Sequence, residues 1–227
     1  MLFNVARSTD GPETPSSAVL KSARTRARIM DAAAKVLSSK GYAKTRLTDI
    51  AIEADIQAPA IYYYYPSRQK LIEAVVRHGT SQMNDHVSSV LEALPSTTSP
   101  MQRIAAAVEA HLRLSLELSV YTTAAIRNAG QLPDAMRERQ RADEEQYAGL
   151  WRNLLEEAHA AGEIRPDVDL RAVRMLLLGA LNWAAEWWSP ERGSLESVVC
   201  TAQTLIQNGL SADTPVDMRP IFLAPSS

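Results

Sequence analysis

The sequence contains a single cysteine, little glycine and no long apolar run. Cys200 is the only cysteine among 227 residues, which excludes an intramolecular disulfide and fits a reducing compartment. The most apolar stretch, residues 175–185, is far shorter than the roughly 20 residues that span a bilayer. Scarce β-branched runs and abundant Ala, Leu, Arg and Glu favour helix over sheet. We therefore expect an all-α protein of the cytoplasm that does not enter a membrane.

Motifs of enzyme chemistry are lacking as well. The four histidines do not form a His-Glu-x-x-His pattern, no glycine-rich phosphate loop is present, and Cys200 has no evident partner. Pairs of carboxylates such as Glu144 and Glu145 are what any charged helix offers. The sequence therefore predicts no enzyme, no cofactor and no metal site. A small helical enzyme or an adaptor protein is the alternative class of protein.

Basic residues concentrate in the first third of the chain. Residues 21–81 contain 11 Lys and Arg against 5 Asp and Glu, a net charge of +6. Because the whole chain carries −2, the other residues carry −8. A basic segment beside a larger acidic one predicts a polyanionic partner for the first. A solvated helix face is the alternative, and charge alone does not separate the two.

Hydrophobic periodicity predicts two helical domains between two irregular ends. Residues 1–20 predict a disordered arm, residues 21–81 a three-helix domain, residues 82–210 a larger helical domain, and residues 211–227 a flexible tail. Helices are expected from about residue 22 to 40, 48 to 54, 59 to 64, 68 to 94, 100 to 118, 120 to 129, 133 to 161, 170 to 188 and 194 to 210. Gly41 and Gly162 mark helix ends, and Thr48, Ser67 and Asp167 or Asp169 are the expected N-caps.

Two short helices joined by a three-residue break follow a basic helix, which is the arrangement of a helix-turn-helix. Residues 55–57 form the break, and Asp55 tolerates the left-handed backbone that such a turn needs. Ile50, Ile56 and Ile61 supply the apolar inner positions, while the outer positions are polar or small. The second short helix is thus suited to the major groove.

The same residues resemble the TetR family DNA-binding domain, over about residues 21–79. The resemblance is carried by residues 28–33, Gly41, Tyr42, residues 45–51, Ala54, Ile56, residues 61–68 and Leu71. It implies a ligand-responsive transcriptional repressor that binds double-stranded operator DNA as a homodimer. Asp55 stands where the family often has glycine, and Tyr64 where histidine is common.

The resemblance implies DNA contacts for the matching positions. Thr45, Tyr62 and Arg68 stand where the family touches phosphates, and Gln57 is suited to reading adenine. Packing in a small core is the alternative role for the tyrosines, and we expect Tyr65 to be buried. The predicted DNA-binding residues are Lys44, Thr45, Arg46, Thr48, Gln57, Ala58, Ala60, Tyr62, Tyr63, Tyr64 and Arg68.

The last two predicted helices are apolar on more than one face, which predicts burial on two sides. A seam against the same pair of helices in a second copy satisfies this, and an ordinary internal core is the alternative. The predicted dimer-interface residues are Leu178, Leu181, Val198, Ala202 and Leu205. We therefore expect residues 82–210 to serve both dimerisation and ligand binding.

Tryptophans cluster in the same region. Trp183 and Trp187 share one helix face, and apolar rings with an N–H group are able to line a ligand pocket, although core packing is the alternative. Residues 176–183 with Glu186 and Trp187 resemble a TetR subgroup of lipid- and sterol-catabolism regulators, which implies an acyl-CoA effector. The predicted ligand-binding residues are Trp151, Asn182, Trp183 and Trp187.

Overall fold

The computed structural model describes residues 17–212, and this part of the chain forms nine α-helices without a named strand, which confirms the all-α prediction. A π-helical turn, Leu114–Leu118, extends the fifth helix, and Ile164 forms an isolated β-bridge with Ser211. None of the helices between residues 17 and 212 has the length and apolarity needed to cross a membrane. The helices are α1 Ser17–Lys44, α2 Leu47–Glu53, α3 Ala58–Tyr64, α4 Arg68–Glu92, α5 Pro100–Arg113, α6 Val120–Asn128, α7 Asp134–Ala160, α8 Leu170–Trp187 and α9 Leu195–Leu210.

Side-chain caps and left-handed residues set several helix ends as the sequence predicts. Ser67 accepts a hydrogen bond from the Lys70 amide at the start of α4, and Asp169 caps α8. Gly162, with a φ of 73°, follows the end of α7. Thr48 is not a cap, because α2 begins one residue earlier and Arg46 occupies the N-cap position without a side-chain bond.

Both ends of the described chain differ from the expectation. Residues 17–20, predicted to be disordered, form the first turn of α1. Gly41, with a φ of 75° and a ψ of 168°, ends the regular part of α1 as predicted, and a further helical turn beyond this kink continues to Lys44. Ser211 bridges to Ile164, so the predicted tail begins with an ordered contact. The rest of the predicted arm and tail lies outside the described residues.

Two apolar cores share α4. The first contains buried residues of α1, α2 and α3 together with Val75 and Val76 of α4. The second contains Met83 and Val87 of α4 with buried residues of α5, α7, α8 and α9. Helix α6 also contributes to the first core, through Ala124 and Ala125. A displacement of α4 or α6 therefore affects the packing of the N-terminal helices directly.

Candidate functional site

The turn between α2 and α3 is held in place by α1. Asp55 has a φ of 52°, in the left-handed region that its short polar side chain tolerates. The Arg28 guanidinium of α1 donates hydrogen bonds to the carbonyl oxygens of Ala54 and Asp55. Ile50 and Ile61 are fully buried, so α2 and α3 are fixed to α1 on their inner faces. Sequence reasoning did not find this role for Arg28.

The face of α3 opposite its buried residue Ile61 is open to solvent. Tyr63 is 83% exposed and Tyr62 57% exposed, which is unusual for aromatic side chains. Ala58 and Tyr64 are half-buried and pack against the first core, and Tyr65 is buried as expected. Seven of the eleven predicted DNA-binding residues are exposed around this face: Lys44, Arg46, Thr48, Gln57, Ala60, Tyr62 and Tyr63.

Thr45 and Arg68 do not match their predicted phosphate contacts, because both are engaged inside the domain. Thr45 is 1% exposed, and its hydroxyl donates to the Gly41 carbonyl oxygen over 2.8 Å. The Arg68 guanidinium donates to the carbonyl oxygens of Thr45, at 2.6 Å, and of Tyr42, and its centre lies 4.5 Å from the Tyr42 ring centroid. Arg68 therefore ties the start of α4 to the end of α1.

Ion pairs neutralise part of the basic surface of α1. Lys35 pairs with Glu53 and Lys40 with Asp49, each at 3.1 Å between nitrogen and oxygen. Lys44 and Arg46 are exposed and form no ion pair with any residue between 17 and 212. Lys44 and Arg46 therefore leave unpaired positive charge at the entrance to α2.

A second exposed surface is apolar and lies on α8 and α9. Five of the eleven exposed large hydrophobic residues found between residues 17 and 212 belong to it: Met175, Leu176, Trp183, Trp187 and Leu205. We call these five residues the outer face. Solvent-exposed apolar residues grouped on neighbouring helices mark an interaction surface.

The predicted seam residues divide between this surface and the interior. Val198, Ala202 and Leu205 line a groove of about 310 Å³ between α8 and α9, and the buried Leu181 lines it as well. Leu178 is the exception, because it is half-buried and faces a different cavity. The helix period alone does not reveal which side of a two-sided apolar helix faces outward.

The predicted tryptophans do not share one pocket. Trp183 is 65% exposed and Trp187 42% exposed, so both lie on the outer face, and Trp187 also lines the groove between α8 and α9. Trp151 is fully buried in the second core. It packs edge-on against Tyr147, with ring centroids 6.3 Å apart. Tyr147 lines a cavity among α4, α5, α6, α7 and α8. Of the four predicted ligand-binding residues, Asn182 alone lines that cavity.

The cavity that Asn182 lines has a volume of about 310 Å³ and lies among α4, α5, α6, α7 and α8. We call it the inner cavity. Its wall is mostly apolar, with a few polar groups, as is typical of small-molecule sites. Its lining residues include Val76, Gly79, Thr80, Met83, His111, Thr122, Ala125, Ile126, Glu144, Tyr147, Leu178 and Asn182.

His111 is the most unusual polar group of the inner cavity. It is 1% exposed, and its Nδ1 atom lies 2.8 Å from the Tyr147 hydroxyl. Burial lowers the pKa of His111 from 6.5 to about 4, and the neighbouring Asn182 opposes only part of this shift. The ring is therefore neutral at pH 7. Sequence reasoning missed His111 and Tyr147, because 36 residues separate them and neither belongs to a motif.

Backbone contacts connect the inner cavity to the N-terminal helices. Gly79 of α4 packs so closely on α6 that a Cβ atom there would overlap the Tyr121 carbonyl group. The Tyr121 hydroxyl donates to Asp31 of α1 over 2.6 Å. The Asn128 amide donates to the Leu37 carbonyl oxygen of α1 over 3.2 Å. Helix α6 therefore contacts both a wall of the cavity and the helix that braces the turn.

Comparison with known proteins assigns a family to both halves of this arrangement. The model described as "Bacterial regulatory proteins, tetR family" matches residues 29–75, and the model described as "Tetracyclin repressor-like, C-terminal domain" matches residues 97–203. The HTH-type transcriptional repressor KstR2 of Mycolicibacterium smegmatis is 25% identical over 183 residues, which cover 79% of this chain and 84% of that protein.

Two solved structures have the same fold. AibR in complex with isovaleryl coenzyme A and operator DNA is 20% identical, covers 81% of this chain and 98% of its own, and has a TM-score of 0.72. FadR of Bacillus subtilis in complex with stearoyl-CoA is 18% identical, with coverages of 81% and 98% and a TM-score of 0.67. The matched regions contain the helix-turn-helix and most of the lining of the inner cavity. The chain belongs to the TetR family of bacterial regulatory proteins.

Proposed function

We propose that this protein is a transcriptional repressor that binds operator DNA as a homodimer and leaves it when an acyl-CoA thioester enters the inner cavity. It acts by binding and not by catalysis, and its place of action is the cytoplasm. The observation that carries the proposal is the course of α4. This helix begins at the turn that follows α3 and supplies Val76, Gly79, Thr80 and Met83 to the cavity wall.

DNA recognition is assigned to α3 and to the entrance of α2. Exposed Gln57 and Ala60 offer an amide and a methyl group to base edges, and Tyr62 offers a hydroxyl to phosphate. Arg46 and Lys44 supply unpaired positive charge beside them. In a helix-turn-helix, the second short helix enters the major groove and reads one half-site of the operator.

Fluorescence anisotropy with DNA from the region upstream of the gene tests this part of the proposal. Arg46→Ala should weaken binding to all sequences and reduce the slope of log K against log salt by about 0.9. Gln57→Ala should change base preference and leave that slope intact. Arg141→Ala, on an exposed part of α7, is the control and should change neither. The assignment would be contradicted if the unaltered protein bound the upstream DNA and unrelated DNA with equal affinity at every salt concentration.

Dimerisation is assigned to the outer face. Leu176 is 75% exposed and Trp183 65% exposed in the single chain, a costly arrangement for apolar groups unless a second copy covers them. Such a contact uses the same patch twice, as in a two-fold symmetric dimer. Light scattering should report a dimer for the unaltered chain and a monomer for Leu176→Glu. Ile52→Glu, at a residue 78% exposed on α2, is the control and should remain dimeric.

The effector class is supported by the printed ligands of two relatives with this fold, isovaleryl coenzyme A and stearoyl-CoA. An effector that fills the inner cavity competes with the packing of α4 against α6 and so disfavours the DNA-bound conformation by its differential affinity. Isovaleryl-CoA is therefore expected to release bound DNA, and free coenzyme A is expected to have no effect. If no acyl-CoA of any chain length releases DNA, the effector class is wrong, while the DNA-binding assignment stands.

A further inference from the structure

Two hydroxyl groups of the inner cavity are satisfied within the protein. The Thr80 hydroxyl donates to the Val76 carbonyl oxygen, and the Thr122 hydroxyl donates to the Gly79 carbonyl oxygen. The Nε2 atom of His111 differs, because it is buried and has no hydrogen-bond partner among residues 17–212. Asn182 adjoins the ring, but no atom of its amide meets hydrogen-bond geometry with Nε2. A buried ring nitrogen without a partner costs free energy unless a ligand supplies one.

The hydrogen-bond partner of Nδ1 determines what Nε2 offers to a ligand. A phenol hydroxyl carries one proton, and the Tyr147 hydroxyl has no acceptor among the described residues other than His111 Nδ1. With Tyr147 as the donor, Nδ1 is the acceptor and is unprotonated. In a neutral imidazole the proton then resides on Nε2, which is a buried hydrogen-bond donor on a residue that lines the cavity.

The charge around the ring selects the acceptor. His111 stays neutral, because burial holds its pKa at about 4. Glu144 lines the same cavity, and partial desolvation raises the pKa of its carboxyl group. A ligand carboxylate would lose its hydration without gaining a positive partner. A neutral carbonyl oxygen needs only the donor that Nε2–H provides.

We propose that Nε2–H of His111 donates to the neutral acyl carbonyl oxygen of the effector, so that the cavity selects thioesters and esters against free carboxylates and saturated thioethers. The proposal rests on the proposed function in taking the inner cavity as the effector site. Asn182 stands on the same wall, and its amide is able to supply a second donor to that oxygen. The volume of about 310 Å³ suits the acyl group and not the whole nucleotide.

A pair of ligands that differ only in the carbonyl tests this assignment by calorimetry. Isovaleryl-CoA should bind the unaltered protein roughly tenfold more tightly than S-isopentyl-CoA, in which a methylene group replaces the carbonyl. His111→Phe should bind the two ligands equally. His159→Phe, at an exposed histidine near the end of α7, is the control and should keep the preference. Equal affinities in the unaltered protein would overturn the role of His111.

A second pair, methyl isovalerate and isopentyl methyl ether, separates this inference from the choice of coenzyme A. A preference for the ester without binding of either CoA compound would reject the proposed effector and retain the carbonyl contact. If neither pair binds, or if isovalerate binds as tightly as its methyl ester, the inference fails. Nitrogen-15 spectra of the unaltered protein give a test that needs no variant: His111 should show a protonated Nε2, and a protonated Nδ1 would refute the proposal.

Discussion

Acidification should destabilise this protein through His111, and the magnitude follows from its burial. The pKa of His111 is about 4 in the folded chain and 6.5 when the ring is solvated. Between these two values the unfolded chain binds a proton that the folded chain does not, so stability falls as the pH decreases. The contribution is complete above pH 6.5 and lost by about pH 4. The difference between the two pKa values corresponds to about 3 kcal/mol, at about 1.36 kcal/mol for each factor of ten.

The measurement compares the unaltered protein with His111→Phe, a substitution of similar shape that does not titrate. Urea unfolding at intervals from pH 7.5 to pH 4 gives the free energy of unfolding of each. Carboxyl groups with lowered pKa values, such as Glu73 and Glu196, also lose favourable interactions on acidification, but they do so in both proteins. The difference in the free energy of unfolding between the two proteins therefore reports the titration of His111.

The expected result is a difference that shifts by about 3 kcal/mol in favour of His111→Phe between pH 7.5 and pH 4. The groups that face the ring are Tyr147 and Asn182, which stay uncharged over this range, and Glu144, whose pKa is raised by burial. A negative charge on Glu144 would favour the protonated ring and reduce the effect at the upper end of the range. A difference that does not change with pH would mean that the ring is solvated or charge-paired, contrary to the structure.

Three further predictions concern packing and local contacts. Gly79→Ala should lower the free energy of unfolding by about 1–3 kcal/mol, because the new Cβ would meet the α6 backbone. Gly149→Ala on α7, where the new Cβ would only touch the Arg152 side chain at an ordinary contact distance, should raise it by about 1 kcal/mol; denaturant unfolding measures both, and equal effects would refute the close packing. Arg68→Lys should lower the free energy of unfolding by about 1–2 kcal/mol, because lysine lacks the planar guanidinium group that reaches two carbonyl oxygens. A change in DNA affinity without a change in stability would instead favour a phosphate contact. Ser67→Ala should cost about 1 kcal/mol through loss of the α4 cap, and unchanged stability would show that the cap does not contribute.

The helix-turn-helix was predictable because its determinants are local. Ile50 and Ile61 lie at helical spacing on the inner faces of α2 and α3, and both are fully buried. The left-handed Asp55 and the capping Ser67 follow from residue chemistry within a few positions of the chain. The resemblance to the TetR family rested on these same positions, and the family is confirmed.

Side-chain partners across helices were not predictable in the same way. Thr45 and Arg68 match family positions, yet their contacts depend on where α1 ends, and the kink at Gly41 decides this. Trp183 and Trp187 share a helix face as predicted, but periodicity does not distinguish a face that lines a cavity from one that faces solvent or a second chain. The inner cavity collects residues from five helices, so no sequence window contains it.

Arg127 links the turn between α2 and α3, the inner cavity and the outer face. Its guanidinium, on α6, donates to the Ser38 carbonyl oxygen of α1 over 3.2 Å and to the Ala185 carbonyl oxygen of α8 over 2.9 Å. One side chain thus joins the helix that braces the DNA-reading turn to the helix that carries the outer face. The α4–α6 contact at Gly79 leaves no space for compression, because backbone meets backbone there. A ligand that parts α4 from α6, as proposed, would therefore act on contacts that reach both α1 and α8.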